Sequence, residues 1–223
     1  MKSVRPFLTG LAANVVFLGI LLVSAGTLGY WPAWVYAAVS VVMNVLMRLA
    51  TPDADLAKER ARPGAGAKSW DKRLLGIGFL LTIAMLVVAG LDAGRFHWGP
   101  RLGWGWCVAG VGLSVVGSGV FLLALRENRF FSAVVRVQSD RGHAVCTSGP
   151  YRVIRHPGNA GMIIGTIGLP LVLTSAWSAI PALLSIAVLI ARTRLEDAAL
   201  EEELDGYRAY QDTTRYRLVP GVW

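Results

Sequence analysis

The sequence predicts an all-α protein, a polytopic bundle of five or six transmembrane helices, and two observations lead to this fold class. Of the 223 residues, 54% are hydrophobic and only 16% are charged, and the mean hydropathy is positive. The hydrophobic residues also form runs long enough to cross a bilayer core, which takes roughly 20 residues of helix. A soluble domain of this size would carry more charge, so we expect one membrane domain over residues 1–223.

Runs without Asp, Glu, Lys or Arg mark the expected spans. They are residues 6–28, 31–47, 74–91, 102–125 and 157–191. The last run can hold two short spans with a break near Trp177 and Pro181, which gives six spans instead of five. The first two runs are almost contiguous, so we interpret them as a transmembrane hairpin and not as a secretory signal.

The distribution of basic residues predicts the side of the membrane on which each loop lies. With six spans, 20 of the 22 Lys and Arg residues fall on the side of the N-terminus, and only Arg95 and Arg101 fall on the other. Short cytosolic loops collect Lys and Arg, so we expect both termini in the cytosol of a bacterial-type plasma membrane. Topology and anionic membrane lipids then explain the net charge of +8, and no nucleic-acid partner is expected.

Small residues predict where helices pack. In the fourth span glycines recur every seven residues, at 103, 110 and 117 and again at 105, 112 and 119; a second series follows at 158, 161, 165 and 168. Such stripes let helix backbones approach closely in a membrane. The polar segment 51–73 is interpreted as a connector on the membrane surface, with a direct role in the site as the alternative. Cys107 and Cys146 are expected to stay unpaired, and the scattered histidines predict no metal site.

The segment between the fourth and fifth spans carries the first candidate site. Residues 147–157 read Thr-Ser-Gly-Pro-Tyr-Arg-Val-Ile-Arg-His-Pro. Pro157 suits the first turn of a helix, so a helix is expected to begin beside His156. Its free N–H groups and positive dipole end would seat a carboxylate or phosphate, strengthened by Arg152 and Arg155. Alternatively, the two arginines only anchor the span at headgroup level.

The second candidate site follows the last span, where residues 192–197 read Arg-Thr-Arg-Leu-Glu-Asp. On a helix, Asp197 shares a stripe with Leu200, Leu204 and Tyr207, while the later acidic residues face water. Arg192 lies one turn before Glu196. This pair is either an ordinary helix ion pair or, because charge near a bilayer is expensive, a functional pair.

Five motifs in order resemble the isoprenylcysteine carboxyl methyltransferase family, integral membrane enzymes that use S-adenosylmethionine. The motifs are Gly149-Pro150-Tyr151, Arg155-His156-Pro157, the cluster at 192–197, Tyr207-Arg208-Ala209-Tyr210 and Tyr216-Arg217-Leu218-Val219-Pro220. The resemblance covers about residues 120–223, the methyltransferase-like catalytic region. Residues 1–119 match the family only as membrane helices. In two places the chain departs from the family: Asn159 replaces a usual Tyr, and the acidic pair is Glu-Asp instead of Glu-Glu.

The resemblance implies an S-adenosylmethionine-dependent methyltransferase with a cytosolic cofactor pocket and a lateral opening for a lipophilic or lipid-modified acceptor, expected to offer a carboxylate. It assigns catalysis to Arg192, which would orient the acceptor, and to Glu196. The implied cofactor contacts are Tyr151, Arg155, His156, Pro157, Asn159, Gly161, Glu196 and Asp197. Two alternatives stay open: a lipid or sterol reductase that uses NADPH, and a non-catalytic lipid-binding membrane protein, which Asn159 favours.

Overall fold

The computed structural model describes residues 5–50 and 66–223, and within these ranges all regular secondary structure is helical, which confirms the predicted all-α class. The helices are α1 (Arg5–Ala25), α2 (Trp31–Ala50), α3 (Ser69–Ala89) with a π-helical extension (Gly90–Phe96), α4 (Trp104–Glu127), α5 (Pro157–Val172), α6 (Ala179–Glu203) and α7 (Tyr207–Thr213). Two 3-10 turns, Ser139–Arg141 and Gly149–Arg152, lie between α4 and α5.

Four of the described helices are long and apolar enough to cross a membrane: Phe7–Ala25, Trp31–Ala50, Ser69–Phe96 and Trp104–Glu127. Exposed apolar side chains such as Val23 and Leu80 give them surfaces suited to lipid. The predicted break near Trp177 is confirmed, because residues 173–178 separate α5 from α6. However, α5 has only 16 residues, and the C-terminal half of α6 contains many charged residues. The predicted count of five or six spans is therefore not confirmed. The chain is an integral membrane protein.

Three helix connections meet at one end of the bundle. The Tyr30 hydroxyl, from the connection between α1 and α2, donates to the Leu173 carbonyl after α5. Buried Asp92 in the π-helical extension accepts from the Ser175 hydroxyl at 2.7 Å and from the Gly99 N–H at 2.7 Å. These groups all lie at one end of the bundle. The opposite end therefore contains the starts of α3 and α5 and the ends of α4 and α6.

Glycines bring α4 and α5 into backbone contact. A Cβ added to Gly117 would lie 2.6 Å from the Gly161 carbonyl oxygen, and one added to Gly110 would lie 2.6 Å from the Gly168 carbonyl oxygen. The predicted seam is therefore confirmed for these four glycines. It is wrong for the stripe at 105, 112 and 119, which faces open space. This close contact holds the start of α5 against the end of α4, where the candidate site lies.

Candidate functional site

A cavity of about 330 Å³ lies at the end of the bundle where α3 and α5 begin and where α4 and α6 end. Apolar side chains from three helices, among them Leu75, Phe121 and Met162, form part of its wall. The α4–α5 loop, residues 128–148, supplies another part. The volume falls within the range of small-molecule sites in proteins.

Asp197 is the buried centre of the polar network behind this cavity, with only 1% of its surface exposed. Its carboxylate accepts two hydrogen bonds from Arg155, at 2.8 and 2.9 Å, and one from Arg217 at 2.7 Å. The Tyr207 hydroxyl donates to it at 2.9 Å, and Nε2 of His156 lies 3.0 Å away. Burial by itself raises the pKa of Asp197, but the hydrogen bonds from His156, Arg155 and Arg217 hold it well below its usual range. Asp197 is therefore ionised at neutral pH and lies at the centre of this network.

Arg155 ties the C-terminal tail, residues 214–217, to the start of α5. Its Nη1 donates to the carbonyl oxygens of Thr214 and Arg215, both at 2.8 Å. The backbone N–H groups of Arg155 and His156 donate to the next two carbonyls of the tail, at 2.9 and 3.0 Å. The tail therefore forms part of the structure that supports the cavity.

The helix start at His156 is where the sequence predicts it, with Pro157 as the first residue of α5. Arg155 pairs with Asp197, and Arg152 is exposed to solvent. The strengthening of an anion site by these two arginines stays a prediction.

Arg192 is held by groups from two other helices. Its Nε donates to Asp71 in the first turn of α3 at 2.7 Å, and its Nη1 donates to the Asn159 side-chain oxygen at 3.0 Å. Glu196, one turn later on α6, lies 3.8 Å from Nη1, beyond hydrogen-bond distance. Nη2 has no hydrogen-bond partner among the described residues. The guanidinium is thus fixed in place and still has N–H groups to offer, on the wall of the cavity.

Asp71 is a site residue that sequence reasoning missed. It falls in the segment 51–73, interpreted as a surface connector; residues 51–65 lie outside the described residues, but Asp71 is fully buried. For this residue the interpretation is wrong. Its second carboxylate oxygen accepts the Val135 N–H at 2.7 Å, so it also fixes the α4–α5 loop. The available signal was a carboxylate at the membrane end of a span, a costly position.

Asn159 connects α5 to α6 at the place where the family usually has Tyr. Its amide nitrogen donates to the Thr193 hydroxyl at 3.1 Å and to Glu196 Oε2 at 2.9 Å, while its oxygen accepts from Arg192. Glu196 is 24% exposed at its side chain and lines the cavity. Its Oε1 accepts no hydrogen bond from a described residue. This oxygen is therefore available to a ligand.

The α4–α5 loop also escaped sequence reasoning as a source of site residues. It contributes Phe130, Phe131, Arg136, His143 and Cys146 to the cavity wall. The loop is not periodic and matches no short motif, so only its folded path reveals its role.

Both cysteines of the protein are free thiols, as expected.

The predicted site residues fall into two groups. Those that line the cavity are Tyr151, Arg155, His156, Asn159, Arg192 and Glu196. The other three lie behind the wall: Pro157 is buried at the start of α5, Gly161 contacts the α4 backbone, and Asp197 holds the polar network. The role of each residue toward a ligand stays a prediction.

The cavity and its polar network lie largely within a segment that is similar to known methyltransferases. Residues 106–205 match the family model for phospholipid methyltransferase. The chain is 33% identical over 84 residues to the "Probable protein-S-isoprenylcysteine O-methyltransferase" of Oryza sativa subsp. indica and to that of subsp. japonica. The aligned segment covers 36% of this chain and 44% of each relative. "Protein-S-isoprenylcysteine O-methyltransferase B" of Arabidopsis thaliana is 27% identical over 106 residues, 46% of this chain and 52% of that protein.

The chain thus spans about half the length of the relatives it matches. The resemblance to isoprenylcysteine carboxyl methyltransferases that five motifs predicted is confirmed, at low identity.

Proposed function

We propose that this protein is a membrane methyltransferase that uses S-adenosylmethionine to methylate a lipophilic acceptor, with a carboxylate as the accepting group. The observation that carries the proposal is the placement of Arg192, with free N–H groups, and Glu196, with a free carboxylate oxygen, on the wall of one cavity. Both residues belong to the segment that matches the phospholipid methyltransferase model. The relatives named as isoprenylcysteine O-methyltransferases support a carboxylate acceptor.

The residues of the cavity fit S-adenosylmethionine in chemistry and size. Phe130 and Tyr151 offer aromatic surfaces to a purine ring, and Glu196 offers a carboxylate oxygen to hydroxyl or cationic groups. When bound, S-adenosylmethionine supplies an electrophilic methyl group carried by a positively charged sulfur. We therefore assign Glu196, Tyr151 and His156 to the cofactor side of the cavity. Asp197 supports this side from behind, and Arg155, itself on the wall, pairs with Asp197.

Arg192 is assigned to the acceptor. A carboxylate is ionised at neutral pH, so it needs no base before it attacks the methyl carbon. The new bond joins the carboxylate oxygen to the methyl carbon while the bond from sulfur to that carbon breaks, and the opposite charges cancel. The protein has to align these atoms and exclude water. Asp71 and Asn159 fix the Arg192 guanidinium, which leaves its remaining N–H groups to orient the acceptor.

A reductase or a non-catalytic lipid-binding protein is not favoured. The non-catalytic alternative was suggested by Asn159, which stands in place of the usual Tyr. In the structure the Asn159 amide holds both Arg192 and Glu196. An amide in this position therefore organises the site, and its presence is no argument against activity.

Ligand binding tests the proposed function directly. We expect S-adenosylmethionine and S-adenosylhomocysteine to give saturable heat in calorimetry and to raise the thermal unfolding midpoint, because a ligand of the native state stabilises it by mass action. NADPH should do neither. Glu196→Gln should weaken binding by roughly tenfold, a loss of about 1.4 kcal/mol, whereas the exposed control Glu202→Gln should not. Stabilisation by NADPH alone would support the reductase instead.

We further propose that the cavity opens toward the cytosol, with both termini on that side of a bacterial plasma membrane. The basis is the excess of Lys and Arg in the segments at this end of the bundle. A reporter fused after Trp223 should signal the cytosolic side, and one inserted after Arg101 the opposite side. The same signal from both positions would contradict this orientation.

A further inference from the structure

We propose that Arg136, in the α4–α5 loop, binds a ligand carboxylate inside the cavity. This inference rests on the proposed function, which supplies two ligands with a carboxylate: the methionine moiety of the cofactor and the acceptor. Recognition of a carboxylate by a guanidinium is the chemistry common to both.

The first observation is that the charge of Arg136 is buried and poorly compensated. The side chain is 10% exposed and lines the cavity. Its Nε is buried and has no hydrogen-bond partner among the described residues. Among the described residues, the carboxylate within ion-pair distance is that of Asp140, which lies 3.8 Å from Nη1 and is itself 65% exposed. A buried guanidinium without acceptors is unfavourable, and a carboxylate in the cavity would relieve that cost.

The second observation is that the described loop residues beside Arg136 on the cavity wall carry no negative charge. His143, also on the wall, accepts the Gln138 N–H at its Nδ1 at 3.2 Å, so the ring is neutral. Burial, and then the charges of Arg136 and Arg141, lower the pKa of His143. Arg141 donates to the Gln138 side-chain oxygen at 2.6 Å. Among the described residues that line the cavity, the acidic side chain is Glu196 on α6. The loop wall therefore favours an anion, and the α6 wall favours a cation or a hydroxyl.

The third observation is that Arg136 stands on a fixed backbone. The Val135 N–H donates to Asp71 at 2.7 Å, and the Val135 carbonyl accepts the Lys68 N–H at 3.1 Å. Asp71 is the residue that also holds Arg192. Arg136 is therefore positioned by the same buried carboxylate as the proposed acceptor-binding arginine. An arginine placed in this way is preorganised for a ligand, unlike a solvated surface arginine.

The test compares Arg136→Gln with Arg126→Gln, which removes the same charge from an exposed position at the end of α4. If Arg136 binds the methionine carboxylate, Arg136→Gln should raise the Kd for S-adenosylmethionine by roughly tenfold or more and leave the Kd for decarboxylated S-adenosylmethionine unchanged. If it binds the acceptor, the Kd for the cofactor should stay constant and the acceptor KM should rise by a similar factor. Arg126→Gln should change none of these values.

The thermal midpoint without ligand supplies a second readout. Arg136→Gln should keep or raise the midpoint, because the substitution removes a buried charge that is poorly compensated. A variant that fails to fold would overturn the proposal, since the guanidinium would then be structural. Unchanged Kd and KM in a folded variant would overturn it as well, with the proposed function intact. Absence of S-adenosylmethionine binding by the wild-type protein would instead refute the proposed function, and this proposal with it.

Discussion

Replacing Asp197 by Asn is expected to lower the thermal unfolding midpoint by roughly 10 °C, or to prevent accumulation of the protein. The substitution leaves two guanidinium groups, those of Arg155 and Arg217, without their carboxylate partner. Breaking a buried ion pair on one side costs about 3–5 kcal/mol. In a chain of this size each kcal/mol shifts the midpoint by about 2–4 °C. Thermal unfolding of the purified protein in detergent measures the change.

The matched control is Asp205→Asn, an exposed carboxylate just beyond the end of α6. It should leave the midpoint within about 1 °C, since exposed charges contribute little. Equal midpoints for the two variants would disprove the structural role of Asp197. A normal midpoint combined with lost cofactor binding would instead favour a direct contact between Asp197 and the ligand.

The difference in stability between wild type and Asp197→Asn depends on pH through the lowered pKa of Asp197. A carboxyl with a lowered pKa in the folded state stabilises the protein fully above its unfolded pKa of about 3.9. The contribution disappears only as the pH falls from there through the folded pKa. The stabilisation that comes from the ionisation of Asp197 itself should therefore be complete above about pH 5 and shrink only in more acidic solution.

Replacing Arg192 by Lys is expected to lower turnover by roughly tenfold or more, about 1.4 kcal/mol of transition-state stabilisation. Arg192 uses separate nitrogens for Asp71 and Asn159 and keeps others for the acceptor. Lys has a single nitrogen, so it cannot keep both supports and also hold a carboxylate in a planar fork. The Kd for S-adenosylmethionine should stay within about threefold of wild type, because the assigned cofactor contacts are elsewhere.

Arg194→Lys is the control for Arg192→Lys, because Arg194 is exposed two residues later on the same helix. A double-mutant cycle with Asp71→Asn adds a geometric test. If Asp71 acts by positioning Arg192, the two substitutions should be non-additive in turnover. Normal turnover of Arg192→Lys would exclude the orienting role. A selective loss of cofactor affinity would assign Arg192 to the cofactor.

Features with a local cause were predictable from the sequence. The apolar runs locate the four helices of spanning length, and Pro157 marks the start of α5 because proline is tolerated in a first helical turn. The predicted stripe is confirmed: Asp197, Leu204 just after α6 and Tyr207 on α7 are buried, and half-buried Leu200 packs against the same cluster. The spacing of glycines predicted close helix packing on α4, but it marked two faces of the helix. Only the face of Gly110 and Gly117 packs against α5.

Features that depend on distant parts of the chain were not predictable. Asp71 meets Arg192 across 121 residues and Val135 across 64. Neither partner has a periodic pattern that points to the other. The burial of Arg136 in the α4–α5 loop was equally unpredictable, because it follows from the path of the backbone. The partners of Arg155 are also distant in the sequence, so its contacts with the tail could not be predicted.

The tail also determines the order in which this molecule can assemble. A chain is synthesised from its N-terminus, and helices with their internal hydrogen bonds are stable in lipid before they pack together. Residues 214–217 are added after all the helices that they fasten, so Arg155 lacks its carbonyl partners until then. A nascent chain that stops at α7 can therefore be inserted in the membrane without a finished cavity. The polar network around Arg155 is complete only when the tail has docked.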